Sequence, residues 1–538
     1  MGGLADTIRA RAAQEVGAVR KEHGGRLRVC LVYPNTYYVG MSSLGFQTVY
    51  HLLNAEPGAV CERAFVPDKD DLADMERTGS PLVSYESQTP LYEFDVLAFS
   101  VSYELDYVNV ARALRLARVP AMAAERGEEY PIVMAGGAAV SINPEPLAHL
   151  IDVFVIGEGE EVVGELVEAV RGSGDKDDAV AGARGIRGAY VAGASSCRTW
   201  KAADIPAPEG QEASPCPTRR QRATEAGTGV PALQQRRYVR DLDEWPTHSR
   251  VLTRETEFGE LFLVEVSRGC GRGCKFCVTP QCYWPLRWRS AGRVLESARE
   301  GLEHRDAIGL VGAAVSDHPE IDEIARRVVG MGVRLSVSSL RADSVSDALI
   351  AALARSGAKS ITLAPETGSE RLREAIGKGI PEDQIVDALR RAGAAGIREA
   401  KLYFMVGLPG EGEEEVAEIP GFVRRCVREA ELTRVTVAVG AFVPKPGTPF
   451  EGEGMLPVRE LSRRLRAIRE GLRRERRVRV ALESANWSTI EGILSQGDRR
   501  LGEVIVKAEA GGGKLAAWRK AFREAGRSGK ELAGPRQV

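Results

Sequence analysis

Between residues 260 and 442 the chain repeats one pattern six times. A short apolar, β-branched run is followed by an amphipathic stretch of helical periodicity. The runs are ELFLVEVSRG (260–269), IGLVGAAV (308–315), RLSVSSL (334–340), SITLAPE (360–366), EAKLYFMVGLP (399–409) and TRVTVAVGAF (433–442). Runs this short, bounded by turn residues and alternating with helices, predict buried strands joined by right-handed crossovers. Six such units suit a partial or full α/β barrel, in which chemistry sits at the carboxyl ends of the strands.

A first series of the same style precedes it. LRVCLVYP (27–34), DVLAFSVS (95–102), PIVMAGGAAV (131–140) and DVFVIGEGE (152–160) read as strands separated by helices. They predict a doubly wound, Rossmann-like domain whose ligand loops are 34–42, 100–106, 136–145 and 157–160. The expected organisation is an amphipathic leader over 1–25, a Rossmann-like domain over 26–172, and a linker or low-complexity excursion over 173–254. A barrel over 255–455 and a mainly helical extension over 456–538 complete it. The excursion is rich in Gly, Pro, Ala and charge, as mobile connections are. Its Cys197 and Cys216 are isolated and read as plain surface thiols.

Net charge is −2, so no global basic field points to nucleic acid or to an anionic membrane. The arginine-rich run RELSRRLRAIREGLRRERRVRVALE carries interspersed glutamates and reads as a solvated helix face, with an RNA-facing role as its alternative. No apolar run is long enough to span a bilayer, and the first residues do not form a secretory signal. Nine cysteines, one group tightly spaced, argue against a disulfide framework and for a reducing cytoplasm.

That group is CGRGCKFC, Cys270 to Cys277, directly after the first barrel strand. Three readings compete. Structural zinc needs a fourth ligand, and Cys282 and His304 complete no standard spacing. A redox pair of Cys274 and Cys277 leaves Cys270 without a role. A 4Fe–4S cluster on three thiolates keeps one iron open, and Gly271 and Gly273 allow the loop to wrap it.

The stretch resembles the C-x3-C-x-aromatic-C motif of the radical S-adenosylmethionine (SAM) enzymes. That resemblance implies that Cys270, Cys274 and Cys277 hold a 4Fe–4S cluster whose open iron chelates SAM. It further implies reductive cleavage of SAM by an electron from an external flavodoxin- or ferredoxin-type donor. Phe276 would pack near the adenine. Further matches implied by the resemblance place Gly312 and Ala314, Ser338, Arg341 and Glu366 around SAM, with an ion pair to Arg371 as the plain alternative for Glu366. The family's glycine–glycine–acidic segment is replaced here by LVGAAVSDHPE (310–320). Asp317 and His318 would face substrate or cap the following helix, and Lys445 would meet substrate or stand exposed.

The first domain resembles the cobalamin-binding domains fused before such barrels. MAGGAAVSINPEPL (134–147) and VIGEGEE (155–161) carry that likeness. It implies that Ser100, Ser102, Gly136, Gly137, Ser141, Gly157, Glu158 and Gly159 contact the corrinoid. The family's D-x-H-x-x-G is replaced by NTYYVG, with Asn35, Tyr37 and Gly40 at the matching places. A neutral phenol is a poor cobalt ligand, so the expectation is cobalamin without a histidine lower ligand, or a domain that has lost it, and Tyr37 and Tyr38 read equally as packing residues. YPNTYYVGMSSLGFQTVY and IEGILSQGDRRLGEVI (490–505) resemble segments of a poorly characterised bacterial group of this kind. The resemblance implies radical methylation of an unidentified substrate. Its alternatives are a modification without methylation, such as RNA methylthiolation, and a non-catalytic cobalamin or redox sensor.

Overall fold

The computed structural model describes residues 3–192 and 236–526. The first domain is built on β1 (Leu27–Tyr33), β2 (Ala59–Phe65), β3 (Val96–Ser100), β4 (Ile132–Gly136), β5 (Val153–Val155) and β6 (Ala189–Val191). They form one sheet in the order β2-β1-β3-β4-β5-β6. All pairs are parallel except β5 with β6. The chain leaves β1 toward β2 and then returns to β3 on the other side. The carboxyl ends of β1 and β3 therefore flank the topological switch point, where open α/β sheets bind ligands.

β2 escapes the sequence reading because it carries Glu62 and Arg63, both buried. As an edge strand it is covered by other segments. Arg63 forms ion pairs with Glu15 at 2.7 Å and with Glu86 at 2.6 Å. Glu62 accepts from Ser84 and Ser87. The leader is thus a structural cover, with Ile8 of its helix Leu4–Ala12 buried.

One face of this sheet packs on the helices Leu44–Ala55, Val162–Arg171 and Lys176–Ala183. The other face packs on the helix Tyr107–Leu116 and on C-terminal helices that include the wholly buried Trp518. The expected excursion over 173–254 is therefore corrected at both ends. Residues 176–191 supply a helix and β6, and Arg236, Val239, Leu242, His248 and Val251 are buried. Cys197 and Cys216 lie outside the described residues.

The second domain runs β7 (Phe262–Glu265), the short antiparallel pair β8 (Ser267–Arg268) and β9 (Arg287–Trp288), then β10 (Ala307–Val311) and β11 (Arg334–Val337). It continues with β12 (Ser360–Glu366), β13 (Glu399–Val406), β14 (Arg434–Ala441) and β15 (Val478–Leu482). The main strands pair in parallel as β11-β10-β7 and as β12-β13-β14-β15. Helices cover the outside and share one core with Val264, Leu310, Leu363, Leu402 and Val437. The extension is mainly helical but also holds β15: residues 458–482 add a helix and a strand to the barrel. The helices Ala485–Gln496, Leu501–Ala510 and Leu515–Glu524 instead cross back beneath the first domain. Arg479 between Val478 and Val480, directly after Arg476 and Arg477, hid this strand inside an arginine-rich run.

Candidate functional site

The three-cysteine loop leaves β8 through Gly269, whose positive φ of 91° and close approach to Tyr283 O leave no room for a Cβ. It is pinned to the loop after β12. Lys275 N–H donates to Ile376 O at 2.9 Å, and Lys275 Nζ donates to Ala375 O at 2.8 Å. Phe450 N–H closes the far side on Lys275 O at 3.2 Å. Burial pushes all three thiols up, and each is pushed further by another of the three. They therefore share one electrostatic neighbourhood. Lys378 and Arg341 oppose the rise at Cys274, as cations beside an anionic ligand set should.

Among the described residues, no trio of His, Cys, Asp or Glu is drawn tightly enough for a single metal ion. His304 lies away from the loop, in a separate pocket with Arg254, Gly259 and Met331. Tetrahedral zinc thus finds no ready ligand set among the described residues.

Phe276 packs with Leu372, Ile376, Leu408 and Phe442. Gly312 O accepts from Ser338 Oγ at 3.2 Å, and Ala313 O accepts from Ser339 Oγ at 3.2 Å. Ala314 is buried behind them. Arg341 is held in a fork by Asp343, both bonds 2.9 Å. Glu366 ends β12 in the left-handed region, with φ 69°, an unfavourable conformation for a non-glycine residue. Burial pushes its carboxyl up, and its partner is Lys378 at 3.0 Å. The expected alternative pair with Arg371 is corrected: Arg371 bonds Glu415. Sequence reasoning missed Lys378, because the only local signal was its place between Gly377 and Gly379.

Three further expectations are settled by their partners. Asp317 accepts a fork from Arg272, at 2.9 Å to each oxygen. His318 is buried between two backbone groups: Nε2 lies 2.8 Å from Arg289 O, and Nδ1 accepts from Glu320 N–H at 3.1 Å. It therefore fits the cap reading and does not face a substrate. Lys445 is neither exposed nor free. It bridges Glu104 of the first domain at 2.6 Å and Glu491 of a C-terminal helix at 2.9 Å.

A cavity of about 490 Å³ lies between the first domain and the cysteine loop. Ser100, Ser102, Gly136, Gly137, Ser141, Gly157, Glu158 and Gly159 all line it. The barrel side contributes Ser267, Gly269, Thr279, Cys282, Gly312 and Ala313. Below the strand ends its lining is apolar and includes Leu31, Val49, Leu52, Ala98, Met134 and Leu166. Gly137, with φ 111°, and Gly157, with φ 109°, hold their turns where a Cβ would strike Val101 O and Arg237 O. Ser141 Oγ accepts from Gly157 N–H at 3.0 Å, so its expected role includes fixing that turn.

Asn35, Tyr37 and Gly40, expected as corrinoid contacts, do not line this cavity. Tyr37 is buried, stacks on Tyr85 with ring centres 5.1 Å apart, and donates to Glu15 at 2.7 Å. Gly40 leaves space for Phe65. Asn35 donates to Asp106 at 2.7 Å. The matched positions of the family motif are filled here by core-forming residues.

Glu158 does more than line the cavity. It accepts from Arg268 at 2.9 Å, from both Nη atoms of Arg287 at 2.9 and 2.7 Å, and from Val239 N–H at 3.0 Å. Burial alone pushes its carboxyl up, but Arg268 and Arg287 outweigh that and hold it at about 2. This hub ties the first domain, the 236–250 segment and the barrel together.

The family model described as the radical SAM superfamily matches residues 264–423. The one described as radical SAM proteins, N-terminal, matches 45–192. An uncharacterized protein of Methanocaldococcus jannaschii is 28% identical over 89% of this chain and 90% of its own length. A tRNA-2-methylthio-N(6)-dimethylallyladenosine synthase of Chromohalobacter salexigens is 26% identical over 42% of this chain and 52% of its own. Among solved structures, the radical S-adenosylmethionine methyltransferase TsrM of Kitasatospora setae, with cobalamin and a [4Fe-4S] cluster bound, aligns with a TM-score of 0.56. That alignment has 15% identity and covers 94% of this chain and 99% of the other, a likeness of fold. Among the described residues no helix is long and apolar enough to cross a membrane.

Proposed function

We propose that this chain, a radical SAM enzyme with an N-terminal domain of the cobalamin-binding type, methylates a substrate with SAM and cobalamin held in adjoining sites. The carrying observation is the cavity that joins the glycine turns of β4 and β5 to residues just after the three-cysteine loop. When bound, a 4Fe–4S cluster with SAM supplies one-electron carbon–sulfur cleavage, and a corrinoid supplies a methyl carrier.

The residues fit those groups. Cys270, Cys274 and Cys277 offer three thiols and leave a fourth corner to a small chelator. Glu366, Lys378 and Arg341 place both charges beside Cys274, matching an amino and a carboxylate group. Phe276 gives an apolar wall. The groove under the first-domain sheet is apolar and suits a flat heterocyclic tail, while Gly136, Gly137 and Gly157 let backbone approach a large planar ligand. Ser267 Oγ is buried at the cavity wall with no hydrogen-bond partner among the described residues, a hydroxyl available to a bound group. No histidine lines the cavity, so the lower face of a corrinoid would go without an imidazole.

The likeness to a methylthiolating relative supports a second reading, sulfur insertion into RNA. Against it, the described part of the first domain has only Cys30 and Cys61, buried in neighbouring strands, and so no second three-thiol loop. The electron donor in our reading is an external flavodoxin- or ferredoxin-type protein, in a reducing cytoplasm.

The test is anaerobic reconstitution with iron, sulfide and hydroxocobalamin, followed by SAM labelled in its methyl group. We expect about four irons per chain, a corrinoid spectrum, and label transferred to a component of cell extract. Cys274→Ala should lower the iron count and abolish deoxyadenosine formation. A stable protein with one zinc would end the cluster reading, and labelled methylthio groups in RNA would replace methylation.

A further inference from the structure

We propose that Arg272 and Asp317 form a charge couple that holds the three-cysteine loop in place and sets the reduction potential of the cluster on it. The inference rests on reading that loop as a cluster site.

Arg272 is the middle residue of CGRGC, between Gly271 and Gly273. Its guanidinium meets Asp317 through two parallel bonds of 2.9 Å, the geometry in which arginine binds a carboxylate most specifically. A third nitrogen lies 3.5 Å from Asp343, which is itself forked by Arg341. The acidic residues stand on different loops. Asp317 follows β10 and Asp343 follows β11. Those loops are stapled to each other: Arg341 N–H donates to Ser316 Oγ, and Ser344 Oγ donates to the same oxygen, both at 2.9 Å. One arginine from the cysteine loop therefore grips a prebuilt ledge of two strand ends.

The electrostatic half follows from position. Arg272 is two residues from Cys270 and two from Cys274, and the side chain of Asp317 is only 12% exposed. The Arg272 side chain is 38% exposed, so solvent screens its charge more than that of Asp317, but both lie well within a Debye length of the loop. Reducing a cluster adds one negative charge. A nearby cation favours that state and a nearby anion opposes it, so the couple acts as two opposed levers. Groups that orient or charge the surroundings of metal ligands tune the metal in this way without touching it. Arg272 and Asp317 are thus positioning residues.

The test uses the full chain, reconstituted anaerobically, with iron analysis and a potentiometric titration followed by electron paramagnetic resonance. Asp317→Asn should raise the midpoint potential, because the arginine loses its countercharge. Arg272→Gln should lower it. The double variant should lie between the two, and Arg272→Lys should stay near the parent potential. If Arg272→Gln cannot hold iron, the sign of the Asp317→Asn shift decides alone. An unchanged or lowered potential in Asp317→Asn with a full iron count overturns the proposal, as does a shift of the same sign in both single variants. A parent chain that never reaches about four irons sinks the cluster reading itself, a separate and distinguishable outcome.

Discussion

Replacing Glu158 by alanine should loosen the two domains from each other more than any surface change could. The carboxylate is 5% exposed and is surrounded by Arg236, Arg268 and Arg287. Two routes give the size of the loss. Its carboxyl sits at about 2 against an ordinary 4.5, and that displacement corresponds to about 3 kcal/mol of folded-state preference for the charged form. Removing one partner of a buried pair independently costs about 3–5 kcal/mol, because the remaining guanidiniums stay buried without their anion. The sign of the pH dependence follows from the lowered pKa. The contribution is complete above about 4.5 and is lost as pH falls toward about 2. Urea unfolding at pH 7 should show Glu158→Ala destabilised by about 3 kcal/mol or more, and Glu158→Gln by less, since an amide keeps hydrogen bonds to the arginines. The variant's acid limb between pH 4.5 and 2 should also be flatter than the parent's. A loss under about 1 kcal/mol, the range of surface pairs, would refute the hub.

Gly137→Ala should leave secondary structure intact yet reduce corrinoid uptake, read from the visible spectrum. Its Cβ would lie 2.5 Å from Val101 O, and φ there is 111°. Tyr37→Phe should leave that spectrum unchanged and cost about 1.5–3 kcal/mol in urea unfolding, because the phenol bonds buried Glu15 and stands outside the cavity. Burial, helped by Arg250, holds His248 down at about 4, so its contribution is present above pH 6.5 and is lost as pH falls toward 4. His248→Gln should flatten the unfolding free energy across that window by up to about 3 kcal/mol.

Strand periodicity and spacing were enough to place both α/β series and the cysteine loop, because parallel strands buried on both faces write themselves as continuous apolar runs. What stayed illegible follows a physical pattern. β2 carries charges whose partners lie far away in sequence, such as Glu15 for Arg63, and β15 carries the exposed Arg479 within an arginine-rich run, so local hydropathy reads both as surface. The glycine turns at 136–137 and 157 were legible because backbone strain has a local signature, and they do face the cavity. At NTYYVG the sequence left two readings for Tyr37, because a motif match fixes a place along the chain while packing decides which way the side chain points, here onto Phe65 and Tyr85. The same holds for Lys445. Alone it reads as an exposed cation at the barrel mouth, but it meets Glu104 and Glu491, 341 and 46 residues away. A buried cation between two carboxylates from different parts of the chain is satisfied only while all three parts are docked. The bridge therefore joins the first domain, the loop after β14 and a C-terminal helix, a contact that no single stretch of sequence could display.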